Sequence, residues 1–431
     1  NPDFLEDNKQ FSDWKEVAAK QGVQVRIGRW NIPSGPLVIL VNFTHLFAKK
    51  DEIFAHLWET YKLDSLSGQW DYIEPALFGY AAGQAIESFT RFYLTAQTRV
   101  VAHFHEWMTG TGVLYLKEKL PHAGIGFTTH ATVLGRSIAG NGLPLYEKLA
   151  HYHPLKMAEK FQVVSKNSLE TLSAQEADVF TTVSAITSEE SRQFLGKEAE
   201  VLTLNGMNKS FIPTVDQYTK KRELARTKVL EIVSKLTGVT YDKDTFLVLN
   251  SGRYEFKNKG IDIYLRALGK LNQSLPNGQR ILAFIAVPGG HDGPQAIFTG
   301  ESTKIQNPYL THYLLDENND PVLREARNNK LDNSENDRVH LIFIPAYLNE
   351  RDGVVNLSYY DFLTAFDYTV FPSYYEPWGY TPHESIAFGI PTLTTTYAGF
   401  GKWVLDHFEN TRGAVTVIDR HEKDDDSIAA E

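Results

Sequence analysis

The strongest constraint on the fold is a recurring pattern of short apolar runs, each followed by a turn and a stretch with helical periodicity. Strands that alternate with helices predict parallel sheets that are covered by crossover helices on both faces. The pattern repeats too often for one small sheet, so it predicts an α/β protein with two doubly wound domains facing a cleft. The apolar runs are Leu37–Val41, Val100–Phe104, Ile125–Thr129, Val179–Val183, Leu247–Asn250, Ile281–Val287, Val339–Pro345, Tyr368–Pro372 and Thr392–Thr396.

A break in this pattern predicts the domain boundary. A Gly/Asn turn and a proline interrupt the alternation at Asn205–Pro213, which favours domains at 1–207 and 208–431. Lys, Glu, Arg and Leu then dominate Val215–Lys235, so we expect one or two exposed helices inserted at about 213–244. Contacts with a second copy of the chain, giving a homo-oligomer, and a solvated helical pair are equal alternatives for this insertion.

Composition excludes several classes of function. The net charge of −10 argues against nucleic acid as a partner, so any anionic ligand must meet a local cluster of cations. The chain contains no cysteine, which excludes disulfides, thiolate zinc sites and a cysteine nucleophile. The run Pro36–Phe43 is far shorter than the ~20 residues of a membrane span, and the first residues lack signal-peptide features. We therefore expect a cytoplasmic protein without a membrane partner, and the missing initiator Met suggests part of a longer chain.

The loop after Leu247–Asn250 carries two cations in the segment SGRYEFKNKG. Gly252 allows a close backbone turn, and the side chains of Arg253 and Lys259 are suited to converge on a diphosphate. From this segment alone, two solvated loop cations are an equal alternative.

The apolar run Ile125–Thr129 is followed by the segment HATVLGR, which contains His130 and Arg136. Both residues would leave the carboxyl edge of the first sheet, where doubly wound folds bind ligands. A lone histidine at a strand end is more often structural, and that alternative stays open here.

His105, Glu106 and Trp107 follow the run Val100–Phe104. His103 and His105 share one face of the predicted strand, which on its own could indicate a metal pair. No HExxH spacing or further ligand cluster follows, so we predict no metal site.

The segment Phe371–Ser385, FPSYYEPWGYTPHES, combines aromatic residues, prolines and glutamates at the end of a predicted strand. Thr381, Pro382 and Glu384 match a helix start with a capping box. A helix that begins at the carboxyl edge of a sheet presents free N–H groups to a phosphate, and Glu376 would face the group attached to it. The alternative is that Glu384 only completes the capping box.

Several of these segments together resemble the glycogen synthases of the animal and fungal type, in family order from about Arg29 to Trp403. The resemblance implies a retaining glycosyltransferase with two Rossmann-like domains. It implies transfer of glucose from UDP-glucose to the non-reducing 4-hydroxyl of glycogen or another α-1,4-glucan, without a cofactor or a required metal. The segments are FPSYYEPWGYTPHES, GRYEFKNKG, HFHEWMTGTG, FTTHATVLGR, FTTVSAIT and NGMN.

The resemblance also implies roles for individual residues. Catalytic roles fall to Glu376 against the glucosyl ring, to Arg253 and Lys259 on the donor phosphates, and to His130. The acceptor side is expected at His105, Glu106 and Trp107. The implied donor-binding residues are Arg136, the backbone of Gly379, Tyr380 and Thr381 at the phosphate, Glu384 at the ribose, and Tyr347 and Tyr359 beside the uracil.

The sequence departs from the family in a few places. The first family strand with its Gly-Gly loop, the carboxyl-terminal crossing helix and the arginine-rich regulatory helix are not found, and we expect at least the first strand to lie outside this sequence. Tyr347 stands where the family more usually has Phe, which keeps the stacking surface. An ADP-glucose-using synthase and a non-catalytic glucan-binding scaffold on the same fold are the alternative functions.

Overall fold

The computed structural model describes residues 3–32, 34–95, 97–276 and 278–431. The chain forms two compact units, one of Asn1–Ile138 with Lys148–Leu204 and one of Ala139–Glu147 with Asn205–Glu431. Each unit contains a parallel sheet with helices around it. Within the described ranges, no helix combines the length and apolar character needed to cross a membrane.

The first unit contains two sheets. Its described strands are β1 (Phe4–Glu6), β2 (Gln24–Trp30), β3 (Leu37–Asn42), β4 (Val101–His105), β5 (Gly124–Thr129), β6 (Val179–Thr182) and β7 (Val201–Leu202). Its helices are α1 (Ser12–Lys20), α2 (Lys50–Tyr61), α3 (Trp70–Tyr93), α4 (Gly110–Lys119), α5 (Val133–Gly140, which ends in the second unit), α6 (Pro154–Lys160), α7 (Val164–Glu176) and α8 (Ala185–Phe194). Strands β4, β5, β6 and β7 form a parallel sheet in that order, as the alternating pattern predicts.

The prediction that Leu37–Val41 belongs to a parallel sheet is wrong. Strand β3 pairs antiparallel with β2, which in turn pairs antiparallel with β1. Val25 and Ile27 of β2 are buried while Arg26 between them is exposed, which is typical of a sheet with one covered face. Trp14 of α1 packs against that face.

The second unit contains one large sheet and a small antiparallel sheet of two strands. Its described strands are β8 (Phe246–Ser251), β9 (Ile281–Ala286), β10 (His291–Pro294), β11 (His312–Leu314), β12 (Val339–Ile344), β13 (Tyr368–Val370), β14 (Thr392–Thr395) and β15 (Val415–Ile418). Its helices are α9 (Val215–Thr237), α10 (Ile261–Ser274), α11 (Ala296–Thr299), α12 (Pro321–Asn328), α13 (Tyr359–Leu363), α14 (Tyr380–Ala387), α15 (Gly399–His407) and α16 (Asp425–Ala430).

The large sheet is parallel throughout, in the order β12-β9-β8-β13-β14-β15. This is the doubly wound order of a Rossmann fold, and the chain reverses its direction of winding between β8 and β13. Leu247 and Leu249 enter the core on one face of the sheet, whereas Val248 enters the core on the other. Both faces are therefore covered, and ligands of such folds bind where the loops after β8 and β13 diverge.

The segment expected to hold one or two exposed helices forms the single helix α9. Its inner face is buried in the core on one side of the large sheet, through residues such as Val229, Val233 and Leu236. Arg222 and Arg226 on the same helix donate hydrogen bonds to the carboxylate of Asp367, just before β13. Only the outer face of α9 matches the expectation of exposure, and the helix is part of the layered domain.

Truncating the buried face of α9 tests this packing. We expect Leu236→Ala to lower the free energy of unfolding by about 2–5 kcal/mol, because it leaves a cavity in the core. Leu224 on the same helix is 65% exposed, so Leu224→Ala should change stability by less than about 0.5 kcal/mol. Urea unfolding of both variants measures the difference, and equal effects would show that α9 is not packed on the sheet.

Candidate functional site

The loops after β8 and β13 bring Lys259 and Glu376 together at the point where the winding of the large sheet reverses. The Lys259 ammonium donates a hydrogen bond to the Glu376 carboxylate, and their side chains are only 14% and 13% exposed. Partly buried opposite charges of this kind depend on each other, because either one alone would be left poorly solvated. The pair therefore marks the centre of the candidate site in the second unit.

Close approach of the two loops depends on a glycine. Gly260 has a positive φ of 67°, and a Cβ atom there would lie 2.0 Å from the Pro372 carbonyl oxygen. The Asn258 carbonyl also accepts hydrogen bonds from the backbone N–H groups of Tyr374 and Tyr375, at 2.9 and 3.3 Å. The residues beside Lys259 are thus joined through the backbone to the residues before Glu376.

Arg253 is not part of this close contact. Its side chain is 63% exposed and pairs with the Glu255 carboxylate at 3.2 Å. Gly252 has a φ of 143°, a conformation that favours glycine, and the Cε atom of Lys259 lies 4.0 Å from where a Cβ at position 252 would stand. The structure therefore brings Lys259 to Glu376 and leaves the guanidinium of Arg253 at the surface of the same loop.

The backbone on both sides of Glu376 is fixed. Its N–H donates to the Tyr397 carbonyl at 3.2 Å, and its carbonyl accepts from the Gly399 N–H at 2.9 Å. Gly379 follows with a φ of 105°, and a Cβ there would stand 3.3 Å from the Cγ atom of Glu376. These contacts aim the carboxylate toward Lys259.

The predicted capping box at Thr381 and Glu384 is wrong. Helix α14 begins at Tyr380 after a left-handed Gly379, so Thr381 already lies within the helix. The Glu384 carboxylate instead accepts a hydrogen bond from the Tyr360 hydroxyl at 2.9 Å. Burial raises the pKa of Glu384, and the bond from Tyr360 opposes that shift. The N-cap residue Gly379 has no side chain that could cap α14, so the first N–H groups of the helix can bind an anion.

The tyrosines expected beside a base lie in different environments. Tyr347 follows β12 and is 75% exposed. Tyr359 begins α13, and its hydroxyl is hydrogen-bonded to the Ser251 hydroxyl at 3.0 Å. Only Tyr347 presents most of its ring to solvent.

In the first unit, the structure brings His105, Glu106 and His130 together. The His105 Nδ1 and His130 Nε2 atoms are 2.9 Å apart, and the Glu106 carboxylate accepts from the His130 backbone N–H at 2.8 Å. Burial is the main cause that lowers the pKa of both histidines, which favours their neutral forms. Trp107 stacks on the ring of Tyr72 within the same unit. In the part of the chain that the structure describes, no group of three His, Asp or Glu side chains is arranged to hold a metal ion.

Buried carboxylates that sequence reasoning missed hold the segment between His130 and Arg136. Glu170 accepts from the Val133 backbone N–H at 2.9 Å, and Glu190 accepts from the Thr132 hydroxyl at 2.6 Å. Burial raises the pKa of Glu170 well above its usual value, against the opposing hydrogen bond from Val133 and the attraction of Arg136. Glutamates within helices are usually exposed, so the sequence gives no signal for these.

Arg420, in the second unit, was also missed. Its buried guanidinium donates a hydrogen bond to the Pro372 carbonyl at 2.9 Å, at the base of the loop that carries Glu376. The signal that could have found it is the apolar run Val415–Ile418, which forms β15 and ends just before Arg420.

The sequence profile of the glycogen synthase family matches residues 5–307 and 294–430 of the chain. The chain belongs to the glycogen synthase family. Among curated members, the glycogen [starch] synthase of Neurospora crassa is 28% identical, over 98% of this chain and 69% of that protein. The human liver glycogen [starch] synthase is 30% identical, over 93% of this chain and 65% of that protein. The chain thus spans about two thirds of the length of these family members.

Solved structures support the fold of this family member. The α,α-trehalose 6-phosphate synthase of Burkholderia multivorans aligns with a TM-score of 0.52 and 11% identity, over 91% of this chain and 74% of that one. The UDP-forming α,α-trehalose-phosphate synthase of Burkholderia xenovorans aligns with a TM-score of 0.51 and 12% identity, over 94% and 80%. The prediction of two Rossmann-like α/β domains is confirmed, and the described sheet of the second unit has the doubly wound order, whereas that of the first unit runs β4-β5-β6-β7 in chain order. The glycogen synthase family makes the protein a glycosyltransferase.

The buried carboxylate of Glu170 makes stability depend on pH. Its folded-state pKa is raised above the usual 4.5, so its stabilising contribution is complete below that value and is lost as the pH rises through the folded-state pKa. Glu170→Gln keeps the oxygen that accepts from Val133 and removes this loss. We expect the melting temperature of the variant to rise relative to that of the wild type as the pH is raised above 4.5, the usual pKa of the group. The exposed Glu189→Gln is the control, and a parallel gain there would contradict the assignment.

Proposed function

We propose that the protein transfers glucose from UDP-glucose to the non-reducing 4-hydroxyl of an α-1,4-glucan, with retention of configuration and release of UDP. The observation that carries the proposal is the Lys259–Glu376 pair at the winding reversal of a Rossmann sheet, in a member of the glycogen synthase family. Glycogen is the acceptor we propose, and the reaction needs no cofactor and no metal. We place it in the cytoplasm, as the sequence predicts.

The donor diphosphate would be held at the start of α14. Gly379, Tyr380 and Thr381 supply backbone N–H groups there that no side chain caps. Lys259 supplies a fixed positive charge, and Arg253 supplies a second one from a side chain that extends into solvent. Negative charge grows on the diphosphate as the glycosidic bond breaks, and fixed donors stabilise that charge where it develops.

Glu376 would face the glucosyl group as an electrostatic partner for the positive charge that develops at the anomeric carbon. Its hydrogen bond from Lys259 lowers its nucleophilicity, so we favour this role over formation of a covalent intermediate. The acceptor then attacks the face that the nucleotide leaves, and a phosphate oxygen takes its proton. Configuration at the sugar is retained by that geometry.

The remaining predicted residues keep the roles that the resemblance implies. We propose His130 and Arg136 for the glucosyl and phosphate groups, and His105, Glu106 and Trp107 for the acceptor side. Glu384 would bind the ribose hydroxyls, with its carboxylate already oriented by Tyr360. For contacts with the uracil base we propose Tyr347 and Tyr359.

Incubating the protein with UDP-glucose and glycogen tests the function directly. We expect UDP release that depends on glycogen, and a higher kcat/KM for UDP-glucose than for ADP-glucose; stacking alone tolerates either base, so the comparison decides the donor. Glu376→Gln should abolish turnover while glycogen binding is retained. Absence of nucleotide release from every nucleotide-glucose would overturn the proposal in favour of a glucan-binding scaffold.

Removal of the Lys259 charge should slow the chemical step. We expect Lys259→Ala to lower kcat by about 10²–10³-fold, comparable to the loss of one oxyanion-hole donor. This variant leaves the Glu376 carboxylate without its partner, so the folding of the double variant Lys259→Ala/Glu376→Gln, in which neither charge remains, is measured beside it. Lys402, in an exposed pair with Asp406, gives the control Lys402→Ala, which should keep full activity. Similar losses in both lysine variants would contradict the role of Lys259.

A further inference from the structure

The first tyrosine of the SYYEPWG segment, Tyr374, lies at the centre of a network that the proposed reaction does not use. Its hydroxyl donates to the Asp262 carboxylate at 3.0 Å and lies 2.6 Å from the Lys257 ammonium. Its backbone N–H is bonded to the Asn258 carbonyl. Tyr374 therefore connects the Glu376 loop, through side chain and backbone, to the loop that carries Lys259.

Arg420 holds the same loop from the other side. The carbon of its guanidinium lies 3.7 Å from the centroid of the Tyr374 ring, a close cation–π contact. The guanidinium also donates to the Pro372 carbonyl at 2.9 Å and to the Asp425 carboxylate at 3.2 Å. A planar fork can make all these contacts at once, which the flexible ammonium of a lysine cannot.

Asp425 ties the two cations of the network together. Its carboxylate pairs with Lys257 at 3.1 Å and with Arg420 at 3.2 Å. Burial raises the pKa of Asp425, but its interactions with Tyr374, Lys257 and Arg420 outweigh that cause and lower the pKa overall. The carboxylate therefore stays charged and balances cations from two separate parts of the chain.

We propose that Arg420, Tyr374 and Asp425 are positioning residues that hold the Glu376 loop against the Lys259 loop. The inference rests on the proposed function, because it concerns the geometry of the same donor site. None of these residues is assigned a contact with substrate. They act through the Pro372 carbonyl, which lies between Arg420 on one side and Gly260 on the other. We call these three residues the clamp. Small displacements of catalytic groups have large effects on rate, so loss of the clamp should lower kcat.

The test variant is Arg420→Lys, which keeps the charge and removes the fork. We expect kcat to fall about 10- to 100-fold, while KM for UDP-glucose changes little, because ground-state binding survives and the fixed geometry does not. Tyr374→Phe keeps the ring under Arg420 and loses the hydroxyl, so it should lower kcat less. The double variant Arg420→Lys/Tyr374→Phe should show a smaller fold-decrease in kcat than the product of the two single fold-decreases, as expected for residues that act together.

Tyr241→Phe is the matched control. Its hydroxyl also makes buried hydrogen bonds, to His340 and to Thr237, but it precedes β8 at the opposite edge of the sheet. It should lower the melting temperature without lowering kcat. The clamp is overturned if Arg420→Lys retains the wild-type kcat. It is also overturned if Arg420→Lys and Tyr241→Phe both lose kcat in proportion to their loss of stability.

Hydrogen exchange gives a readout that does not need activity. The N–H groups of Tyr374 and Tyr375 are protected through the Asn258 carbonyl, and we expect Arg420→Lys to increase their exchange while Tyr241→Phe does not. Unchanged exchange would overturn the clamp whether or not the enzyme turns over. A different outcome would overturn only the proposed function. In that case Arg420→Lys increases the exchange of these N–H groups as expected, but the wild-type protein transfers glucose from no nucleotide-glucose.

Discussion

The second unit is organised around one partly buried ion pair, Lys259 with Glu376. Neither charge is well hydrated, so each depends on the other, and the two loops that carry them must meet. The two loops leave neighbouring strands, β8 and β13, and their close approach depends on a glycine at position 260, where any side chain would strike the Pro372 carbonyl. The surrounding residues must hold the backbone of Lys259 and Glu376 in place, since a charge pair positions a substrate only if its backbone supports are fixed.

Much of the fold could be predicted, because parallel strands buried on both faces form continuous apolar runs. Every run identified in the sequence lies in or overlaps a strand. The search for apolar runs missed β2, QVRIGRW, in which Val25 and Ile27 are buried and Arg26 between them is exposed, and the pairing of β3 was therefore predicted wrongly. Such a strand looks polar to a search for apolar runs, although its period of two is a signal for a sheet with one covered face. Helix α9 was misread for a related reason, since its charged outer face hides a buried stripe.

The structure brings Lys259 and Glu376 together, as the short motifs predict, whereas contacts that depend on distant packing were not predicted. Glu376 and Lys259 come from local segments and were expected at one sheet edge. The capping box failed because the left-handed Gly379 starts the helix earlier, leaving Glu384 to bind Tyr360. Glu170 could not be foreseen, because only the packing of its helix decides whether a helical glutamate is buried. The roles of the site residues toward substrate stay predictions.

The clamp around Tyr374 has a consequence for biosynthesis of the chain. Lys259 and Glu376 are separated by 117 positions, and Arg420 follows Pro372 by a further 48. Contacts between such distant positions form late, and a chain emerging from the ribosome folds from its amino-terminal side first. A nascent polypeptide that has not yet exposed Arg420 can build β8, β9, β12 and β13 but lacks the last support of its loops. Assembly of a competent centre therefore waits until Arg420 has been translated and has left the ribosome.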